Sequence, residues 1–228
     1  MRKLLTSSGF KRKDFSVSFS LSDVSDVEHF VARKTELAEI HKALSGNGSR
    51  RVVVLHGLGG IGKTQLSAAY AKRHKDSYSA IFWLNIKDED SLKQSFVKVA
   101  KQISREHSSA MPISNLEMIQ NLDEVLESVK SWLSLPNNTR WLMIYDNYDT
   151  PKLSGRTDPA AVDIRKFLPE SYQGSIIITT RSSEVTIGHP IQIRKLENVD
   201  DSLEILVNAS RREGLVTGKN VLDLMLLF

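Results

Sequence analysis

The chain contains no cysteine among its 228 residues. That excludes disulfides, thiolate metal centres and a cysteine nucleophile, and it fits a reducing compartment. No apolar run approaches the roughly 18–20 residues that span a bilayer, so neither a membrane segment nor a membrane partner is expected. The N-terminus lacks the apolar core of a secretory signal. Internal repeats and low-complexity tracts are also absent. A cytoplasmic location is the expectation from these absences.

An excess of charge of one sign is missing too, once the first residues are set aside. The formal net charge is +4. Arg2, Lys3, Lys11, Arg12 and Lys13 all precede the first acid, Asp14. Without those five cations, 26 basic residues stand against 27 acidic ones. Phosphate backbones demand a basic face, so a near-neutral body argues against a nucleic-acid partner. The early cations suit a flexible, solvated leader over residues 1–28, with a mitochondrial presequence as the alternative.

What is present is an ordinary globular composition, 40% hydrophobic and 25% charged, enough for a sizeable core. Residues 34–45 place Leu37, Ile40 and Leu44 on one helical face. Apolar runs of strand length follow at 51–56, 80–84, 141–145 and 175–180, with a shorter one at 191–193. Runs of this kind suit strands buried on both faces, as in parallel sheets. Helical patterns lie between them at 63–74, 89–106, 116–133 and 160–167, and again at 200–212. Strands alternating with helices imply an α/β fold, a parallel sheet wrapped by helices.

Residues 57–64, Gly57-Leu58-Gly59-Gly60-Ile61-Gly62-Lys63-Thr64, match G-x-x-x-x-G-K-[ST] in full. A strand precedes them and an amphipathic helix follows. In such a loop, backbone N–H groups turn inward toward phosphate oxygens, and glycines permit the close approach. The helix beginning there adds free N–H groups and a favourable dipole. Lys63 can reach the outer phosphates, and Thr64 can place its hydroxyl on Mg²⁺. Gly57, Gly59 and Gly62 also satisfy the dinucleotide pattern G-x-G-x-x-G. That fold needs an acid near the end of the second strand, where this chain has Asn85, and it leaves Lys63-Thr64 without a role.

A phosphate loop of this type needs an acid at the end of another strand to hold Mg²⁺. Asp146 ends the third strand and meets that need. The next residue is Asn147, where an active ATPase often carries a second acid. An amide cannot accept a proton, so slow hydrolysis or none is expected. Asp149 follows two residues later. Thr179-Thr180-Arg181 ends the fourth strand, and the forked donor of Arg181 can read a terminal phosphate. No Asn precedes a Lys and no Asp-x-x-Gly occurs, so the guanine signatures are missing and adenine is the expected base.

These motifs together resemble the NB-ARC family, nucleotide-binding modules of disease-resistance proteins, apoptotic-protease activators and fungal NOD-like receptors. Phe30-Val31-Ala32-Arg33-Lys34 resembles the family's adenine-side FVGRE segment, with Ala32 and Lys34 departing from it. Residues 56–64 resemble its Walker A motif and 141–146 its Walker B. Residues 174–181 are similar to its T-T-R strand, and 203–206 to its L-x-x-L segment. The resemblance spans residues 29–212. It implies a P-loop NTPase three-layer sandwich with a five-stranded parallel sheet. It implies a nucleotide site built from Val31, Arg33, Gly57, Gly59, Gly60, Ile61, Gly62, Lys63, Thr64 and Gln65. Mg²⁺ would sit on Thr64 and Asp146, with Asp146 and Arg181 in catalytic positions. The implied ligand is ADP or ATP, the implied partner a second copy of the chain, and the implied role a signalling switch with weak or no hydrolysis. An active ATPase or small-molecule kinase is the alternative. Residues 29–198 would form the nucleotide-binding domain, and 199–228 the start of a helical subdomain cut short. Gly214-Leu215-Val216-Thr217-Gly218 is not the family's GLPLA motif.

Overall fold

The computed structural model describes residues 15–19, 30, 33–46, 49–107, 121–152 and 158–196. The order of elements is helix α1 (Lys34–Leu44), strand β1 (Arg51–His56), α2 (Lys63–Arg73), β2 (Ala80–Asn85), α3 (Glu89–Glu106), α4 (Leu122–Leu133), β3 (Trp141–Asp146), β4 (Ser175–Thr180) and β5 (His189–Gln192). All strand pairings are parallel, in the order β2-β3-β4-β1-β5.

The sheet follows from the composition of its strands. Side chains alternate across a strand, and here both sets are apolar. Val54, Phe82, Leu84, Met143, Tyr145, Ile176 and Ile178 join one core with the inner faces of α3 and α4. Val53, Leu55, Ile81, Leu142, Ile144, Ile177 and Ile191 join a second core with α1 and α2. Each such side chain contributes about 1.5–3 kcal/mol on burial. The result is three layers, helices on both faces of a five-stranded sheet, as expected. Among the described residues, no helix is long and apolar enough to cross a membrane.

The strand order also disposes of the dinucleotide alternative. In that fold the second strand lies beside the first. Here β1 is flanked by β4 and β5, while β2 stands at the far edge.

Helix starts are fixed locally. Asp88 caps α3 by accepting from Ser91 N at 2.7 Å, and Asn121 caps α4 by accepting from Asp123 N at 3.1 Å. Three expectations need correction, and a fourth lies partly outside the described residues. The segment expected as a helix over 160–167 is a short 3-10 turn, Ile164–Phe167, followed by an extended Leu168 and Pro169. The proline restricts the residue before it to extended backbone. The fifth strand starts at His189, because pairing with β1 begins at Val53. The fourth helix is described from Leu122 only; residues 116–120 and the expected helix at 200–212 lie outside the described residues. Residues 15–19 do not behave as a leader. Phe15 and Val17 are buried in the core against α4, with Phe15 edge-on to Trp132 at 5.9 Å. Val17 N donates to Ser79 O at 2.9 Å, and Ser18 N donates to Glu106 Oε1 at 2.8 Å. The alternation Phe15-Ser16-Val17 puts both apolar side chains on one face, a two-residue period too short to stand out among serines.

Candidate functional site

Five parallel strands end on one edge of the sheet, and the sequence-predicted residues collect there. His56 of β1 is level with Thr180 of β4, and Asn85 of β2 with Asp146 of β3. The loop after β1, the acid ending β3 and the arginine following β4 therefore converge without any long excursion of the chain.

The loop 57–62 leaves β1 and turns into α2. At Gly57 a side chain is impossible, since a Cβ would lie 2.4 Å from Ile193 O. Gly62, at φ 96°, occupies the left-handed region that lets the chain enter α2 directly. Lys63 opens the helix and is largely buried. Its ammonium donates to Gly57 O and Leu58 O, both at 2.8 Å, so it is clamped across the turn it serves. Two of its three N–H groups are used in this way, and the third remains for an anion. Burial lowers the Lys63 pKa, opposed by the negative charges of Asp149 and Asp146 and aided by Arg181.

Thr64 and Asp146 meet directly. Thr64 Oγ1 donates to Asp146 Oδ1 at 2.9 Å and lies 3.2 Å from Oδ2. Thr179 Oγ1 donates to the same Oδ1 at 2.5 Å. Asp146 is only 3% exposed, and burial pushes its carboxyl above the usual carboxylate range despite the hydrogen bonds from Thr179 and Thr64. A buried carboxylate whose donors are all neutral, two hydroxyls and the Asn147 backbone N–H, is short of positive charge. Its oxygens and the Thr64 hydroxyl are hard donors of the kind Mg²⁺ prefers. The residues present therefore fit that ion.

Asn147 has a structural reason to be an amide. Its φ is 66°, a left-handed conformation in which Asn is several-fold enriched. Its backbone N–H donates to Thr179 Oγ1 at 3.0 Å, and its side chain donates to Asn85 Oδ1 at 3.2 Å. This bend lays the next residues along the end of β4. Tyr148 N donates to Thr179 O at 2.9 Å, and Thr180 Oγ1 donates to Tyr148 O at 2.5 Å. Asp149 then receives Arg181 N at 2.8 Å and Arg181 Nε at 2.8 Å.

Together these groups enclose a cleft of about 220 Å³ lined by Gly59, Gly60, Ile61, Gly62, Lys63, Thr64, Gln65, Asn147, Asp149, Thr179 and Arg181. A second, larger cavity of about 590 Å³ opens on the other side of Asp146 and Asn147. Trp83, Asn85, Asp88, Asp90, Ser91 and Lys98 are among its walls.

Arg33, expected on the adenine side, sits just before α1 in the left-handed region at φ 55°. Its guanidinium donates to Ile61 O at 2.9 Å, to Arg194 O at 3.1 Å and to Glu36 Oε1 at 2.9 Å. It ties the phosphate loop to the chain leaving β5. Val31 lies outside the described residues. The pairing of Asp149 with Arg181 was not evident in the sequence, because 32 positions separate them. Thr179 was missed as a partner of Asp146, although it stands inside a motif already singled out.

Comparison with known proteins agrees with this edge. Residues 33–150, just over half of the chain, match the family model of the NB-ARC domain. The chain belongs to the NB-ARC family. It is 27% identical over 210 residues to a nucleotide-binding leucine-rich repeat (NLR)-like protein of the fungus Hyaloscypha variabilis, an alignment covering 83% of this chain and 20% of that protein. The chain thus spans about a fifth of that relative's length. Among solved structures it is similar in fold to Orc1 of Aeropyrum pernix, determined in complex with DNA, with a TM-score of 0.56, 16% identity, and 83% and 53% of the two chains covered. Cdc6p of Pyrobaculum aerophilum matches with a TM-score of 0.50, 15% identity, and 84% and 52% covered. At such identities the likeness speaks for the fold alone. This is a nucleotide-binding module of the type found in NLR-like proteins.

Proposed function

We propose that this chain binds ADP or ATP with Mg²⁺ at the 220 Å³ cleft, as the nucleotide-dependent switch of an NLR-type signalling protein, with little or no turnover. The observation that carries the reading is the convergence of Lys63, Thr64, Thr179 and Arg181 on one cleft, with Asp146 bonded to Thr64 and Thr179 in its floor. In this reading the N–H groups of residues 59–65, with Lys63, take the phosphates of the nucleotide. Thr64 and Asp146 would hold Mg²⁺, which would supply positive charge to the bound phosphates. Arg181 is the residue placed to meet a third phosphate. Arg33 holds the loop's shape through Ile61 O, and Val31 would lie toward the base, which the missing guanine signatures make adenine. The domain would run over residues 29–198, and a second copy of the chain is the partner for assembly.

Weak turnover is supported by the two amides beside Asp146. Asn147 and Asn85 bond to each other beside Asp146, so neither can take a proton from water. Asp149 is committed to Arg181. One observation favours a second reading, a small-molecule kinase: the 590 Å³ cavity beside Asp146 would admit an acceptor.

ADP formation separates the two, because an ATPase and a kinase both release ADP whereas a kinase passes the phosphoryl group to its acceptor. The switch reading expects turnover well below about 1 per second with or without added acceptors, whereas enzymes work at roughly 1–1000 per second. Sustained turnover within that range would establish the kinase or ATPase reading instead.

A further inference from the structure

Asp149 has no place in the phosphate grip described above, yet it lies in the wall of the same cleft. Among the described residues that line the cleft, it carries the only carboxylate. Both of its oxygens are used by one residue. Oδ1 accepts from Arg181 N and Oδ2 pairs with Arg181 Nε, each at 2.8 Å. The first bond fixes where the chain leaves β4, and the second fixes the direction of the guanidinium.

That direction is toward the phosphate loop. A Cβ on Gly59 would lie 3.3 Å from Arg181 Cζ and Nε and 3.6 Å from Nη1. The guanidinium therefore rests on the third residue of the loop, with Asp149 behind it. Asp149 is also the foremost negative charge acting on Lys63, ahead of Asp146. The cleft thus has two cations, and one acid reaches both.

An anion held by Lys63 alone leaves the Asp149–Arg181 pair intact. An anion long enough to reach Arg181 does not. It must share the guanidinium with Asp149 and bring further negative charge beside a carboxylate, and like charges in such a position repel. Resting on the proposed function above, we infer that Asp149 is a specificity-determining residue: it competes with a third phosphate for Arg181 and so biases the site toward nucleoside diphosphate. The pair is partly open to solvent, with the Arg181 side chain 67% exposed and that of Asp149 30%, so the competition is one the nucleotide can win at sufficient concentration.

The test is calorimetric titration of the whole chain, in Mg²⁺, with ADP and with an imido-bridged ATP analogue that cannot be hydrolysed. Wild type, Asp149→Asn, Asp149→Ser and Arg181→Ala are compared, each checked for cooperative melting. The expected result is that Asp149→Asn tightens the triphosphate by about tenfold, the scale of one removed charge repulsion, and leaves ADP within about threefold. Asp149→Ser, which keeps a short oxygen acceptor near Arg181 N, moves the ratio in the same direction. Arg181→Ala moves it the opposite way, and the effect of Asp149→Asn is much reduced in the Arg181→Ala background. An unchanged ratio overturns the inference. So does a weakened triphosphate, which would make Asp149 a support for Arg181, and so does failure of both Asp149 variants to melt cooperatively. If wild type binds neither nucleotide, the proposed function itself falls; if ADP binds and the ratio stays fixed, only the role of Asp149 falls.

Discussion

Lys63 stands between two acids that end up in opposite physical circumstances. On one side Asp146 is buried beneath Thr64 and Thr179, with its carboxyl held above the ordinary range by desolvation. On the other, Asp149 sits at the mouth of the cleft, paired with an exposed arginine. The buried side has only neutral donors, and in the proposed reading it receives the Mg²⁺. The open side already has its cation and must be persuaded to release it. The same residue type therefore serves attraction on one flank and selectivity on the other, and the depth of each group decides which.

The difference can be broken most forcefully at Asp146. Asp146→Ala should cost MgADP binding about 3 kcal/mol, the scale for truncating one partner of a buried charge pair. It should also abolish the gain that Mg²⁺ gives, which titration with ADP in Mg²⁺ and in chelator would show. An ADP affinity in the variant that still improves with Mg²⁺ would place the ion elsewhere.

The same group makes ligand stabilisation depend on pH. With its folded pKa raised, Asp146 holds its proton more tightly folded than unfolded. Its contribution to stability is therefore present at low pH and lost as pH rises through the folded value. A bound cation favours the ionised form and removes that loss. Hence the melting-temperature gain from MgADP should grow from the ordinary carboxylate range toward neutrality, and the growth should disappear in Asp146→Asn. A gain that is flat or falls over that range would count against the buried, cation-seeking carboxylate.

Thr179→Val sharpens the contrast on the stability side. It removes the 2.5 Å donor to Asp146 and the acceptor of Asn147 N–H. A hydrogen bond to a charged group contributes about 1.5–3 kcal/mol, and chemical denaturation should show a loss of that size. The smallest effect belongs to the open flank. A double-mutant cycle on Arg181 and Asp149 without nucleotide should give a coupling of about 0.5 kcal/mol, as solvent-facing ion pairs do. A coupling of several kcal/mol would mean that the pair is a structural clamp.

Much of the buried flank was legible in the sequence because its parts are local. The loop 57–64 is contiguous, and Asp146 is announced by the apolar run 141–145. The open flank was not. Asp149 meets Arg181 only because Asn147 adopts a left-handed bend and β4 lies directly beside β3. Neither the bend nor the strand order has a signature in residue spacing. Residues 15–19 were misread for a related reason: two apolar side chains in a serine-rich stretch carry too short a period, and their burial against Trp132 is a tertiary event. Arg33 was noticed, but its partners Ile61 O and Arg194 O are backbone carbonyls 28 and 161 positions away, which no side-chain pattern encodes.

The measurement closest to the centre of this account is calorimetric binding of MgADP to the wild-type chain and to Lys63→Ala. Saturable binding at one site in wild type, weakened at least about a hundredfold in the variant, roughly 2.7 kcal/mol, is the predicted outcome. Equal affinity in the two proteins, or no binding in wild type under conditions where it melts cooperatively, would contradict it.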